Sequence, residues 1–248
     1  MSFIDLKNKR VLVTGASSGI GRACAVMAAA QGATVVLTGR RQDALEETFR
    51  LLQGEGHLIF SGDIADKVFV RQLVETSGKI DGLVHAAGVA PMCPVGMITD
   101  DHVDFVMRTN YYAFLELMKY YARKKFRNEK LSVVAISSVS AISGWAGGTG
   151  YCGSKGALSA SIRAMALELA LKGIRVNAVC PSNIKTPLYE AGATDLNTEE
   201  SLKALIAKQP LGLGEPEQVA GPVCFLLSDA ASFITGVNLP VDGGYTAQ

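Results

Sequence analysis

The stretch Arg10-Val-Leu-Val-Thr-Gly-Ala-Ser-Ser-Gly-Ile-Gly21 decides how this chain folds. Its first five residues form a mostly apolar run that reads as a strand buried on both faces. Glycine occupies positions 15, 19 and 21, and an alanine-rich helical stretch, 22–30, follows at once. Strand, glycine turn and helix together leave backbone N–H groups at a helix N-terminus open to an anion, and side chains at those positions would stand in its way. The spacing is Gly-x-x-x-Gly-x-Gly, not the commoner Gly-x-Gly-x-x-Gly, so the turn alone is weak evidence. Its place between strand and helix strengthens it.

Working outward, the same alternation recurs along the chain. The runs 34–38, 57–61, 82–86, 132–137, 175–180 and 237–241 read as further strands. Helical stretches fall near 19–31, 42–53, 66–78, 100–127, 152–172 and 216–228. This order implies an α/β fold: a three-layer, doubly wound parallel sheet, Rossmann-like, with about seven strands and helices on both faces. No repeat or linker interrupts it, so 1–248 reads as one domain. The least regular part, 183–215, holds Pro187, Pro210 and an acidic segment at 195–200. Placed after a late strand, it would overhang the carboxyl ends of the sheet, and it is expected to be a substrate lid.

Composition narrows the partners. Hydrophobic residues make up 48% and charged residues 19% of 248, with a net charge of +1, as suits a globular core. Such a charge gives no electrostatic argument for nucleic acid or an anionic membrane. The basic cluster 123–127 reads as a solvated helix end. No apolar segment is long enough to span a bilayer, and the first residues lack a signal-like apolar stretch, so a cytoplasmic location is expected. The five cysteines, at 24, 93, 152, 180 and 224, are scattered without a Cys-x-x-Cys pair, so neither disulfides nor a metal site is expected.

A dinucleotide on the glycine turn would bring its adenine ribose to the end of the second strand. That strand ends Thr38-Gly39-Arg40-Arg41, with no carboxylate before Asp43. Two guanidiniums there suit a 2′-phosphate, so NADP(H) is expected over NAD(H). In the second half, Tyr151 and Lys155 stand one helical turn apart, on one face. A lysine ammonium beside a tyrosine favours the phenolate and brings its proton affinity nearer to neutrality. Ser138 can hydrogen-bond a carbonyl oxygen and stabilise the charge that develops there.

These elements, with Asp81-Gly-Leu-Val-His-Ala-Ala-Gly88, Asn110, Val176-Asn177 and the ending Ile234-Thr-Gly-x-x-x-x-Val-Asp-Gly-Gly244, make the whole chain resemble the single-domain short-chain dehydrogenase/reductases. The resemblance implies a catalytic tetrad of Asn110, Ser138, Tyr151 and Lys155. It implies that Asn110 binds a water linking Lys155 to solvent, and that Lys155 also grips the nicotinamide ribose beside Tyr151. Cofactor contacts are expected from the turn residues Gly15, Ser17, Ser18, Gly19, Ile20 and Gly21, and from Arg40 and Arg41. Asp63, with Ile64, would meet the adenine. Ala86, Ala87 and Gly88 follow the fourth strand, and Pro181, Ser182, Ile184 and Thr186 follow the sixth, Thr186 toward the carboxamide. Two departures stand out. The family's Asn-Asn-Ala-Gly is His85-Ala86-Ala87-Gly88 here, and its Pro-Gly is Pro181-Ser182. His85 reads as a packed strand-end histidine.

The resemblance implies a ketone reductase, closest in look to the 3-oxoacyl-acyl-carrier-protein reductases, and a homotetramer. An acidic carrier protein would need basic residues at the active-site mouth, for which Lys130, beside Glu129, and Lys172 are the candidates. A dehydrogenase of a sugar, polyol, steroid or other small alcohol remains open. So, less strongly, do a nucleotide-sugar epimerase, which usually carries a further substrate domain, and a non-catalytic NADP sensor, which commonly lacks the tyrosine.

Overall fold

The computed structural model describes residues 4–192 and 198–247. Strands β1 (Arg10–Thr14), β2 (Thr34–Gly39), β3 (Leu58–Ser61), β4 (Ile80–His85), β5 (Arg127–Ile136), β6 (Ile174–Pro181) and β7 (Asn238–Val241) form one sheet. All pairings are parallel, in the order β3-β2-β1-β4-β5-β6-β7. The helices are α1 (Gly19–Ala30), α2 (Gln42–Arg50), α3 (Lys67–Thr76), α4 (Asp100–Met107), α5 (Ala113–Tyr121), α6 (Thr149–Leu169), α7 (Pro187–Gly192), α8 (Glu199–Ala207) and α9 (Pro216–Leu227).

Successive strand residues point to opposite faces and fill two cores. Val11 and Val13 pack with Cys24 and Ala28 of α1 and Val223 of α9. Leu12, between them, packs with Phe114 of α5 and Leu158 of α6 on the other side. The chain winds outward from β1 to β3, then crosses back to β4 beside β1. At that reversal the connections leave in opposite directions and open a crevice at the carboxyl ends of the strands.

Several expectations need correction. The helix expected over 100–127 is broken by a π-helical turn, Arg108–Tyr112, which carries Asn110. It then stops at Tyr121. Arg127 is no solvated helix end: it opens β5, is buried, and donates to the carbonyls of Asn128, Glu129 and Lys172. The segment 183–215 is not irregular throughout. Pro187 opens α7, where the Thr186 hydroxyl accepts from the Tyr189 amide, and α8 follows. Of the acidic stretch 195–200, residues 195–197 lie outside the described residues, and Glu199 and Glu200 form the first turn of α8. In α9, Val219, Ala220, Val223, Cys224, Leu226 and Leu227 are buried within this one chain.

Lys130 and Lys172 are also misplaced as guards of the cleft. Lys172 stands just before the first residue of β6, and Lys130 lies near the start of β5. Six residue steps along the strand lead from Lys130 to Ile136 at the cleft, which is about 20 Å. Both lysines belong to the amino end of the sheet, away from this chain's own cleft.

Candidate active site

The crevice is a cleft of about 1430 Å³, large enough for a dinucleotide and a small substrate together. At its centre, Gly15 has φ +65°, and a Cβ there would fall 2.8 Å from the backbone of Ala86. A Cβ on Gly21 would fall 2.2 Å from the Gly15 carbonyl oxygen. Only glycine lets the β1 turn fold against both the β4 turn and its own helix. Thr14 locks this junction, its hydroxyl accepting from the amides of Ala86 and Ala87 at 3.1 Å each. No side chain caps α1 at Ser18, so its first N–H groups face the cleft, where Ser17, Ser18 and Ile20 also line the wall. The cradle fits a pyrophosphate.

At one end of the cleft, Arg40 and Arg41 are exposed and line the wall, and among the described residues neither forms an ion pair. Asp63 and Ile64 line the same region, one Asp63 oxygen accepting from the Ala65 amide.

At the other end stand Ser138, Tyr151 and Lys155, beside Gly88, Pro181, Ser182, Ile184 and Thr186. The Ser138 hydroxyl accepts from the Ser140 amide at 3.0 Å and donates to the Pro181 carbonyl at 3.4 Å. Lys155 is 4% exposed, and its Nζ donates to the Ile136 carbonyl at 2.8 Å. That ammonium stands 5.7 Å from the centre of the Tyr151 ring. Burial lowers the Lys155 pKa to about 8. The Tyr151 phenol is held above its ordinary value by burial, which outweighs the neighbouring Ser138 hydroxyl. The sequence predicts a phenol lowered by Lys155; in the structure desolvation prevails and the ammonium bonds a carbonyl instead.

Asn110 lies outside the cleft wall but joins the group. Its Oδ1 accepts from the Val89 amide at 2.8 Å, and its Nδ2 donates to the Val89 carbonyl and the Ser154 hydroxyl at 2.9 Å each. The carboxamide thus braces the turn after β4 against α6, one residue from Lys155. His85 also stays out of the cleft. It is fully buried, with Nδ1 3.2 Å from the Thr14 hydroxyl and its ring tilted against Phe114.

The cleft has walls that sequence reasoning missed. Trp145 lies 6.3 Å from the Tyr151 ring, centre to centre, and Met92, Ser140, Ser143 and Tyr189 line the same end. The segments supplying most of them, 86–99 and 137–154, contain no charged residue, a signal visible in the sequence.

Comparison with known proteins agrees with this geometry. A family profile described as enoyl-(acyl carrier protein) reductase matches residues 15–246. The chain is 39% identical over 253 residues to an L-rhamnose 1-dehydrogenase (NAD(P)(+)) of a Sphingomonas species, covering 96% of each. It is 36% identical over 242 residues to a 3-oxoacyl-(acyl-carrier-protein) reductase of Rickettsia conorii, covering 97% of this chain and 98% of that one. It superposes with a TM-score of 0.91, at 30% identity and covering 100% of both chains, on a structure described as an NAD(P)-dependent gluconate 5-dehydrogenase of Beutenbergia cavernae with NADP bound at low occupancy. Sheet order, cleft and end-to-end likeness agree: the chain belongs to the single-domain short-chain dehydrogenase/reductase family.

Proposed function

We propose that this oxidoreductase interconverts a ketone and a secondary alcohol with NADP(H), on a substrate uncharged beside the reacting carbon. One observation carries the reading: a single cleft runs from two exposed guanidiniums, past an uncapped helix N-terminus, to Ser138, Tyr151 and Lys155. Bound NADP(H) would supply or accept the hydride.

The chain's own groups handle the oxygen. The Ser138 hydroxyl donates to the substrate oxygen and stabilises its growing negative charge. Tyr151 delivers its proton to that oxygen during reduction and takes it back during oxidation. Burial keeps the phenol protonated at neutral pH, the state that reduction needs. Lys155, cationic below about pH 8, favours the phenolate as it forms and holds the ribose hydroxyls. Asn110 keeps α6 in register with the turn after β4, and a water at its backbone would connect Lys155 to solvent.

The absence of charge in segments 86–99 and 137–154 favours a neutral substrate over a sugar acid, while Asp101, Asp104, Arg108 and Lys208, from other segments, also line the cleft. Two substrate classes remain, each with an observation behind it. Met92, Trp145 and Leu188 would suit the chain of a 3-oxoacyl thioester, while Ser140 and Ser143 would suit a neutral sugar or polyol. Relatives of both kinds exist. A carrier-protein partner has lost its support from Lys130 and Lys172, so a thioester would be recognised by its acyl part. Initial rates on acetoacetyl thioesters, neutral sugars and pentitols, with both cofactors, separate the classes. Absence of turnover on every carbonyl and alcohol offered would count against the reading.

We also propose a cytoplasmic homotetramer. Among the described residues no helix is long and apolar enough to cross a membrane. Leu171 and Phe233 are fully exposed and Leu167 nearly so, apolar side chains that a neighbouring copy would cover. The pairs α4–α5 with α6, and α9 with β7, are the two faces expected to meet other copies.

A further inference from the structure

The departure from the family pattern at Ser182 has a partner in this chain. Gln209, two residues beyond α8, is 1% exposed and does not line the cleft. Its Oε1 accepts from the Ser182 hydroxyl at 2.8 Å, from the Asn183 amide at 3.2 Å and from Asn183 Nδ2 at 3.4 Å. Its Nε2 donates to the carbonyls of Asn183 at 3.1 Å and Gly212 at 2.6 Å. The Ser182 proton is shared with the Asp242 carbonyl at 2.9 Å. Leu211 donates its amide to the Gly243 carbonyl, and a Cβ on Gly243 would fall 2.8 Å from Gln209 Cγ. One buried carboxamide therefore ties together the start of the segment over the cleft, its end, and the turn after β7.

We infer that Gln209 is a positioning residue that acts through Ser182 and Asn183 to fix the nicotinamide end of the cleft. Ser182 and Asn183 line that end, and the preceding Pro181 carbonyl takes the Ser138 hydrogen bond. A glycine at 182 would have no hydroxyl for Gln209 to accept. With it, both ends of the 183–215 segment are held at one point, and the wall against the nicotinamide is set before ligand arrives. Lost rigidity there costs affinity, because the wall must then order itself on binding. The inference rests on the cleft being the NADP(H) site.

The test compares two ligands on purified full-length protein: NADPH, which spans the cleft, and 2′,5′-ADP, which carries only its adenine end. Fluorescence or calorimetric titration gives both dissociation constants for wild type, Ser182→Ala, Gln209→Leu and the double variant. Each lost hydrogen bond is expected to weaken NADPH by roughly 2- to 12-fold, leaving 2′,5′-ADP within about twofold. Because both residues act through one contact, the double variant should be no weaker than Gln209→Leu alone. Equal weakening of both ligands would reveal a general structural role and overturn the inference, as would unchanged NADPH affinity in both single variants. Should Gln209→Leu fail to fold, Ser182→Ala, which removes one hydroxyl, decides by the same criterion. Wild-type protein that binds neither ligand would overturn the cofactor reading and this one with it. Wild-type binding with unaffected variants overturns this one alone.

Discussion

His85 makes the fold sensitive to mild acid. The Thr14 hydroxyl accepts from two backbone amides, so its own proton points to His85 Nδ1 and leaves the imidazole proton on Nε2. Among the described residues that buried Nε2 has no well-formed hydrogen bond, the Asn110 backbone offering only a weak one. Burial, helped by repulsion from Lys155 and weakly opposed by the Asn110 backbone, lowers the His85 pKa from 6.5 to about 3. The folded state therefore keeps the ring neutral where the unfolded chain would protonate it. Between those two values the unfolded state binds more protons, so stability falls as pH falls through this window and levels off below it. Each pH unit within the window costs about 1.36 kcal/mol, so about 2 kcal/mol is lost by about pH 5 through this one group. Urea unfolding at about pH 7 and about pH 5 measures that loss, and the same pair of experiments on His85→Asn removes it. The variant's absolute stability is immaterial, since other titrating groups change both proteins alike. If wild type and variant lose the same free energy between the two pH values, the buried neutral histidine is wrong.

Tyr151→Phe is expected to leave NADPH affinity nearly intact while turnover falls roughly 10²–10⁴-fold, and Lys155→Met to harm both; steady-state kinetics with a cofactor titration checks each. Gly39→Asp with Arg40→Leu should reverse the cofactor preference. A Cβ at Gly39 has ordinary contacts of 3.5 Å to Leu45 and Ser17, and the lost charge-assisted bond is worth roughly 10- to 100-fold before solvent screening. Wild-type protein that binds NADH as tightly as NADPH would refute the assignment. Phe233→Asp should shift the protein from tetramer toward smaller species in light scattering, whereas a wild-type monomer at micromolar concentration would remove the tetramer altogether.

The inner strands were legible because parallel strands covered on both faces are largely apolar, whereas the edge strands β3 and β7 are short and only partly buried and were read from their β-rich composition. That Tyr151, Lys155 and Ser138 share one end of the cleft was legible because their placement follows from one helical turn and one strand end. The break at 108–112 was not, since residues on both sides keep a helical apolar pattern and a π turn inserts a residue without a compositional mark. Arg127 misled for a related reason: a basic run after a helix looks solvated until strand β5 claims its last member. Lys130 and Lys172 were placed by charge alone, and charge does not say which end of a strand a residue occupies. Gln209 carried no signal at all, its main partners lying 26 residues away.

The reversal of strand order between β1 and β4 also divides the labour of inheritance. Arg40 and the glycine turn come from the half of the chain wound one way, and Ser138, Tyr151 and Lys155 from the half wound the other. Among the described residues no hydrogen bond joins Arg40 or Arg41 to Ser138, Tyr151 or Lys155, the proposed proton-handling group, so substitutions at the two ends are expected to act as independent, additive changes. On the proposed reading, a lineage built on this sheet can exchange one nicotinamide cofactor for the other, to follow the redox supply of its host, without retuning the groups proposed to move the proton.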